Sequence, residues 1–568
     1  MTRRLTVFGA IAFIAILGVL LGMALARHFG SSGERRPGER TLLLFAPPQT
    51  ALAISLDPQP GSFDQAEAFR RIASALEREG LNRRIESSLN RAADSVPVLR
   101  DLMPSLTGAG GVLIWDKPGQ PDAPNLVIVV RVRRESDAIT VLKRHAIRTD
   151  DRDGPSMYFL NLSPSGSDSP FRGDIAAVVT DGYLLLSEPS SLQVVRNVHR
   201  AQRTSLAADP AFVRLRGKLP ADANLLCYVS PDLIRRAQRQ SGPPDETTVR
   251  LLSQVQPACF SATLRKDGIV FDSVTGGDAD ALRPMAGIAP IKPEAALRIP
   301  PGSLGLVVMA QPGKCLAVFE EAVRRSGGES LRSWERSVAE FERQTQLSLD
   351  RDVLRALSGH LTVAAYPGSH PDSVDLLAVL DNSHGANPAR LADRLADSIT
   401  AHDARLTFPR RTAKDAVYRS LPTDWKVSSP GAPAPDRPLP SEQVAQIDRA
   451  VLFATAPDLL NRSVDAFRKP PAVPLPLSTL TRDRNIAFVL ETKAVVNWLR
   501  PKLTSTARPT SDTDWDPNDL SALCGDAPLM ASAGYRDDCL TGSLELPIDF
   551  AVAARLSRRL WDLSDRNR

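Results

Sequence analysis

The chain has 568 residues, of which 43% are hydrophobic and 24% are charged, and its formal net charge is +5. Residues 1–40 carry +4 of this charge, because six arginines there stand against two glutamates, so the remaining body is near +1. A body this close to neutral lacks the electrostatic field on which phosphate binding depends, which excludes nucleic acid as a partner. The length allows more than one hydrophobic core.

An apolar segment, residues 5–26, lies near the amino terminus. Its 22 residues carry no charge, and at about 1.5 Å rise per residue such a helix crosses a bilayer core of roughly 30 Å. The run is longer than the roughly 7–15 apolar residues of a signal peptide, which favours an uncleaved signal anchor. The alternative is cleavage after Ala24-Leu25-Ala26, which would release a soluble body.

We therefore predict a single-pass protein of the inner membrane, with its body in the periplasm or otherwise outside the cytoplasm. The transmembrane signal anchor spans residues 1–28, and a polar stalk follows at residues 29–41.

The body carries the same landmarks twice in the same order, within residues 42–280 and within residues 299–568. Each half has a proline-led strand, a helix with apolar residues three and four apart, and a Leu-Thr-Gly or Leu-Ser-Gly corner before a further strand. The corresponding segments are 51–56 and 304–309, 69–76 and 331–341, and 106–108 and 357–359. This agreement indicates an ancient duplication.

Later landmarks correspond as well, at 176–192 and 450–460, at 224–229 and 485–490, and at 261–265 and 532–536. Loop insertions explain the slow drift in spacing between corresponding residues, since lengthening a surface loop costs little free energy. We predict an α+β fold of two duplicated lobes, each a mainly antiparallel sheet with helices packed on one face. A proline-rich linker at residues 281–298 joins the lobes.

Five cysteines in a chain of this length do not form a disulfide scaffold. In an exported body two pairs are plausible, Cys227 with Cys259 and Cys524 with Cys539, and Cys315 is left over. Five free buried thiols are the alternative. No Cys-x-x-Cys sequence is present, so neither zinc binding nor thioredoxin-like redox chemistry is indicated.

The sequence holds no nucleophile elbow, no S-x-x-K, no H-E-x-x-H and no phosphate-binding glycine loop. Gly108-Ala109-Gly110-Gly111 precedes a strand and is interpreted as a turn. His360, His370 and His384 lie close together in sequence but not four residues apart, and we interpret them as residues of solvated loops. Asp350 and Asp352 are interpreted as helix-capping charges. We therefore predict no catalytic, cofactor-binding or metal-binding residues and no cofactor.

One phrase, residues 341–359, ends a helix with Thr345-Gln346-Leu347 and leads through Leu357-Ser358-Gly359 into a strand. Together with the proline-led start, this phrase resembles a bacterial family catalogued as domain of unknown function 3352. Gln346 stands where that family usually has glycine. The resemblance implies a membrane-anchored, exported protein of this topology, and it implies no catalytic residues.

These observations favour a non-enzymatic protein of the cell envelope that binds another envelope component, protein or lipid, as a scaffold or assembly factor. One alternative is a carrier or chaperone for an apolar ligand such as lipid, held against the sheets. A second alternative is a hydrolase of cell wall or peptide that uses carboxylates outside any recognisable motif.

Overall fold

The computed structural model describes two compact units. The first contains the described residues within 1–244, 255–276 and 547–568, and the second contains those within 277–546. The description covers residues 41–566 except for 58–59, 95, 118–119, 152–153, 161–174, 202–204, 234–255, 277–286, 293–297, 371–372, 382–392, 395–396, 398–409, 414, 423–439, 449, 470–482 and 507–521.

The predicted anchor, residues 5–26, lies outside the described residues, and so does the stalk apart from Thr41. Among the helices that the structure describes, none combines the length and the apolar character needed to cross a membrane.

The first unit contains one antiparallel sheet of ten described strands. They are β1 (Thr50–Leu56), β2 (Leu106–Lys117), β3 (Gln120–Val132), β4 (Ala146–Asp150), β5 (Met157–Leu160), β6 (Ile175–Thr180), β7 (Tyr183–Ser187), β8 (Leu225–Val229), β9 (Ala258–Arg265) and β10 (Gly268–Gly276). Their spatial order is β10-β9-β8-β1-β2-β3-β7-β6-β5-β4, and every neighbouring pair is antiparallel.

Seven described helices precede β8 in the first unit. They are α1 (Thr41–Leu44), α2 (Phe63–Arg78), α3 (Leu81–Asp94), α4 (Pro97–Leu102), α5 (Glu135–His145), α6 (Pro189–Ala201) and α7 (Pro210–Arg216). Ser62 begins α2 by accepting a hydrogen bond from the Gln65 N–H, and Asp209 begins α7 in the same way through Ala211 and Phe212.

Both faces of the first sheet carry helices, which corrects the expectation of helices on one face. Helix α5 packs on the face that contains Ala177 and Leu186. On the opposite face, Ser191 of α6 donates a hydrogen bond to the Asn125 Oδ1 atom at 2.7 Å. Alternate residues of a strand point to opposite faces of the sheet, so strands with apolar residues at consecutive positions can pack against helices on both faces.

The second unit also contains one antiparallel sheet of ten described strands. They are β11 (Gly305–Ala310), β12 (His360–Pro367), β13 (Val374–Asp381), β14 (Arg410–Ala413), β15 (Ala416–Pro422), β16 (Pro440–Ile447), β17 (Ala450–Ala454), β18 (Ile486–Leu490), β19 (Leu529–Arg536) and β20 (Cys539–Pro547). Their order is β20-β19-β18-β11-β12-β13-β17-β16-β15-β14. Each strand of this sheet occupies the same place as the strand of the first sheet whose number is ten lower.

The described helices of the second unit are α8 (Pro312–Ser326), α9 (Gly328–Thr345), α10 (Pro457–Arg468) and α11 (Thr492–Thr506). A π-helical turn at Leu349–Leu354 precedes β12. The last helix of the chain, α12 (Phe550–Arg566), follows β20 in sequence, yet it belongs to the first unit. There Phe550 and Ala554 enter the core formed by Ile72 of α2 and Leu264 of β9.

The same polar contacts recur at corresponding places in the two sheets. Asn224, just before β8, accepts a hydrogen bond from the Leu264 N–H at 3.0 Å, and Asn485, just before β18, accepts one from the Tyr535 N–H at 2.8 Å. Both asparagines are buried. An ion pair joins Asp222 to Arg265 in the first unit, and another joins Asp483 to Arg536 in the second.

The described part of the predicted linker, residues 287–292 and 298, packs onto the second unit. Ile288 and Ile291 are buried in its core, and the Ile291 N–H donates to the Arg484 carbonyl at 2.8 Å. These residues therefore form an extended segment of the second unit.

The glycine-rich sequence at 108–111 lies within strand β2, so its interpretation as a turn was wrong. A Cβ atom on Gly111 would lie 2.0 Å from the Ile54 carbonyl oxygen, and one on Gly110 would lie 2.4 Å from the Val129 carbonyl oxygen. These glycines serve the close approach of β2 to β1 and β3, which no larger residue permits without a backbone shift.

Candidate binding surface on the second unit

The two faces of the second sheet differ in how well they are covered. On one face, Leu306, Val308, Leu377, Val379 and Leu452 are buried, together with Leu459, Leu460 and Val464 of α10. Strand β12 shows the alternation clearly, since every second residue from His360 to Tyr366 is buried and those between are only half-buried. The second face is therefore apolar and partly open.

The most open part of this face lies on strands β13 and β17. Val374, Leu376 and Phe453 are 39%, 43% and 38% exposed. Phe453 stands opposite Ala378 in the strand register, and Val374 and Leu376 alternate along β13 onto the same side. We call Val374, Leu376, Ala378 and Phe453 the apolar strip.

Two arginines lie beside the apolar strip on the same face. In the register Phe453 stands opposite Val444, Val444 opposite Arg419, and Arg419 opposite Arg410. Opposed residues of antiparallel strands point to the same side, so these side chains form one row across the sheet. Val444 and Arg419 are buried, so within this row Phe453 on β17 and Arg410 on β14 are exposed and the two residues between them are covered.

Asp393 holds both guanidinium groups of this row. It pairs with Arg419, and it lies 3.3 Å from the Arg410 Nη2 atom. The Arg419 side chain is 10% exposed and that of Arg410 is 58% exposed. Burial lowers the pKa of the Arg419 guanidinium. Two guanidinium groups against one carboxylate leave one excess positive charge in this group.

The corresponding row of the first unit is covered. Leu186 of β7 takes the place of Phe453 and is 9% exposed, and Tyr158 of β5 takes the place of Arg419 and is 2% exposed. Both pack beneath Leu102 of α4 and Leu142 of α5. The exposed residues Val374, Leu376 and Phe453 thus distinguish the second unit, whereas Val444 and Arg419 farther along its row are buried as their counterparts are.

The three histidines of the sequence analysis do not form a site in the structure. His360 is 1% exposed on β12, which corrects its assignment to a solvated loop, and its Nε2 atom accepts the Lys292 N–H at 3.2 Å. His370 lies in an exposed turn closed by Ser373, and His384 lies outside the described residues. Over the part of the chain that the structure describes, no three His, Cys, Asp or Glu side chains are placed to hold a metal ion.

Asp350 and Asp352 lie in the first turn of the π-helical segment, as expected of capping charges, but the capping residue is Ser348. The Ser348 Oγ atom accepts the Arg351 N–H at 3.5 Å, and the Ser348 N–H donates to the Asp352 Oδ2 atom at 2.9 Å. Asp352 also pairs with Arg394. These contacts give the Asp352 carboxylate a structural explanation.

The five cysteines are free thiols, so of the two alternatives that the sequence left open, neither candidate disulfide is formed. Cys227 stands opposite Phe260 in the β8–β9 register, whereas Cys259 stands opposite Tyr228. The two thiols therefore point to opposite faces of the sheet, and no side-chain rotation joins them. Burial raises the pKa of Cys227 to about 11 and that of Cys259 to about 12.

Sequence reasoning missed the apolar strip and the arginine pair. The available signal was in β13, where Val374, Leu376 and Ala378 on one face and Leu377 and Val379 on the other are all apolar. A strand at the surface of an antiparallel sheet normally alternates apolar and polar residues, so this pattern indicates a covered or ligand-binding outer face.

The fold defines an α+β protein with large antiparallel sheets and packed helices. Residues 6–404, more than half of the chain, match the model of a family described as protein of unknown function (DUF3352), and the chain belongs to that family. The family resemblance of the sequence analysis is thereby confirmed. No curated protein and no solved structure matches the chain.

Proposed function

We propose that this protein is a non-enzymatic component of the cell envelope whose second unit binds an apolar partner, protein or lipid, through the apolar strip. The observation that carries the proposal is the exposure of Val374, Leu376 and Phe453 side by side on one sheet face. Contiguous exposed apolar residues of this kind mark interaction sites more often than single ones do.

The binding free energy that the apolar strip can contribute follows from the apolar surface that a partner would bury. Complete burial of a leucine or phenylalanine side chain stabilises by about 1.5–3 kcal/mol. Leu376 and Phe453 are about two-fifths exposed, so covering them contributes about 1 kcal/mol each. A partner that also covers the half-buried residues of β12 and β11 gains correspondingly more.

We further propose that residues 5–26 hold the protein in the inner membrane with its body in the periplasm. The support is the uncharged apolar run and its length. Fusions of alkaline phosphatase and of a fluorescent protein to the carboxyl terminus test the location. Phosphatase activity is expected, and cytoplasmic fluorescence with no phosphatase activity would contradict the proposal.

A carrier of lipid or another apolar ligand is the second candidate. It is favoured by the continuity of the exposed strip with half-buried apolar residues on β12 and β11, such as Val363 and Val307, which stand in the same row as Ala378. A row of this kind suits a long apolar chain laid across the strands.

We also propose that the two units descend from one duplicated ancestor. The support is the shared strand order, together with the repeated asparagine contacts at Asn224 and Asn485 and the repeated ion pairs. Divergence then left the face open in one unit and covered in the other.

Photo-crosslinking in cells tests the binding proposal on the full chain. The photoreactive amino acid p-benzoylphenylalanine replaces Leu376 or Phe453, and Val213, which is 44% exposed on α7, provides the matched control position. Adducts are expected at Leu376 and Phe453 and not at Val213. Failure to form any adduct at either strip position, or equal adducts at Val213, would overturn the proposal.

A further inference from the structure

Strand β4 lies at one edge of the first sheet. It pairs with β5 and, among the strands that the structure describes, with no other. Ile147, Arg148 and Thr149 are exposed, Ile147 to 69%. The outer backbone groups of an edge strand are a template for pairing with another strand. Strand β4 is therefore a place where the sheet can be extended.

The charges of β4 alternate in a defined way along its regular part. Arg148, Thr149 and Asp150 stand opposite consecutive residues of β5, whereas the register shifts between Ala146 and Arg148, which places a bulge at Ile147. Because alternate residues of a strand point to opposite faces, Arg148 and Asp150 share one face and Thr149 lies on the other. The regular part thus carries one base and one acid on the same face.

This arrangement is complementary to itself when two copies of β4 lie antiparallel. With Thr149 on the two-fold axis, Arg148 of each copy stands opposite Asp150 of the other, and the two threonines stand opposite each other. Opposite charges and threonine pairs at such positions stabilise a sheet, whereas like charges destabilise it. Of the antiparallel registers of residues 148–150, only this one pairs the arginine with the aspartate.

The corresponding edge of the second sheet is not complementary to itself. Strand β14 has four residues, Arg410, Arg411, Thr412 and Ala413, which include two bases and no acid. Exposed charges of one sign on an edge strand oppose pairing between copies. Strand β14 therefore has the usual protection of an edge, and β4 has charges that favour pairing.

We infer that the protein forms a symmetric dimer in which β4 pairs antiparallel with β4 of a second copy, so that the first sheet continues from one copy into the other. Both copies use the same surface, so the contact closes at two copies. The contact involves the first unit and does not depend on the apolar strip of the second. Each proposal can therefore fail without the other.

Oxidative crosslinking of the full chain in cells tests the dimer. Opposed residues of antiparallel strands have Cα atoms about 4.5–5.5 Å apart, a separation that a disulfide can bridge. Thr149→Cys, treated with copper phenanthroline, should therefore give a disulfide-linked product of twice the mass of the chain. Thr412→Cys, at the exposed threonine of β14, is the matched control and should give no more of this product than the parent chain.

Exchange of the charges separates loss of pairing from loss of fold. In the Thr149→Cys chain, Arg148→Asp and Asp150→Arg should each lower the yield of the crosslinked product at least fivefold, because each change places like charges opposite each other. The two changes together should restore the yield to within about twofold of the Thr149→Cys level, because the exchanged edge is again complementary to itself.

Three results would overturn the inference. The first is an equal yield of the product from Thr149→Cys and Thr412→Cys. The second is a doubly exchanged chain that crosslinks no better than either single variant, since charge pairing would then have no part in the contact. The third is a Thr149→Cys product that contains a different protein, because β4 would then pair with a strand of that protein and not with a second copy.

Discussion

Replacement of Phe550 by alanine should destabilise the first unit although this residue follows the whole second sheet in sequence. Phe550 is 8% exposed and packs in one core with Ile72, Leu264 and Ile269. Removing a buried phenylalanine costs about 3–5 kcal/mol, and the slight exposure of this one places the loss near about 3 kcal/mol. The ion pairs of Arg558 with Glu79, the residue after α2, and of Asp562 with Arg84 of α3 lie at the surface and add little.

Hydrogen–deuterium exchange on the full chain measures this effect in each unit separately. Amides of β9 that exchange through opening of the first unit should exchange roughly 100-fold faster in Phe550→Ala, the factor that corresponds to about 3 kcal/mol. Amides of β18 should be unchanged. Arg555→Ala, at an exposed position of the same helix, is the control and should leave both strands within about 0.5 kcal/mol of the parent.

If amide exchange in Phe550→Ala accelerated as much in β18 as in β9, α12 would support both units and not one core, which contradicts the prediction. Equal exchange rates of the β9 amides in Phe550→Ala and Arg555→Ala would also contradict it, since the buried ring would then contribute nothing.

Three further predictions follow from single features. Gln346→Gly should raise the free energy of unfolding, measured in urea, by about 0.5–1 kcal/mol, because Gln346 ends α9 at φ 53°, where glycine has no Cβ penalty. Gln311→Gly, at φ 47°, should stabilise less, because the Gln311 side chain accepts a backbone hydrogen bond that glycine would lose. Gly111→Ala should lower the unfolding free energy by more than about 2 kcal/mol, since its Cβ would strike the backbone of β1, and a melting temperature equal to that of the parent would contradict this. The thiols of Cys227 and Cys259 should resist iodoacetamide at pH 8, because a raised pKa leaves little thiolate. Because the pKa of the Cys227 thiol is raised from 9.0 to about 11 in the folded chain, its contribution to the unfolding free energy is fully present below pH 9.0 and is lost as the pH rises towards about 11. Denaturation curves at several pH values measure this loss.

The positions of the strands were predictable because their apolar residues recur with a period of two or in short continuous runs. Strands β8 and β18 and strands β9 and β19 lie where the sequence landmarks placed them. The sequence shows that Asn224 before β8 corresponds to Asn485 before β18. Their shared role as hydrogen-bond acceptors for a neighbouring strand depends on the strand register, which the sequence does not give.

Other features depend on pairing between distant segments, which local sequence does not specify. The turn expected at Gly110 and Gly111 was wrong because the need for a small residue came from β1 and β3 and not from the local chain. The sequence left open whether Cys227 and Cys259 form a disulfide or remain free thiols, and they remain free because a one-residue offset in register places them on opposite faces of the sheet.

The candidate surface was unpredictable for a related reason. The apolar character of β13 is visible in sequence, but whether a helix covers its outer face is decided by tertiary packing. Leu186 and Phe453 occupy corresponding strands, and only the structure shows that the first is covered and the second is open.

The return of α12 to the first unit sets the order in which the chain can mature during its synthesis. Roughly 270 residues separate the end of β10 at Gly276 from Phe550. At about 5–20 residues per second, a ribosome needs on the order of 15 to 55 seconds to make them. The core between α2 and β9 therefore remains exposed to solvent on one side until α12 has been synthesised. The second sheet, whose strands are complete before α12, can fold first.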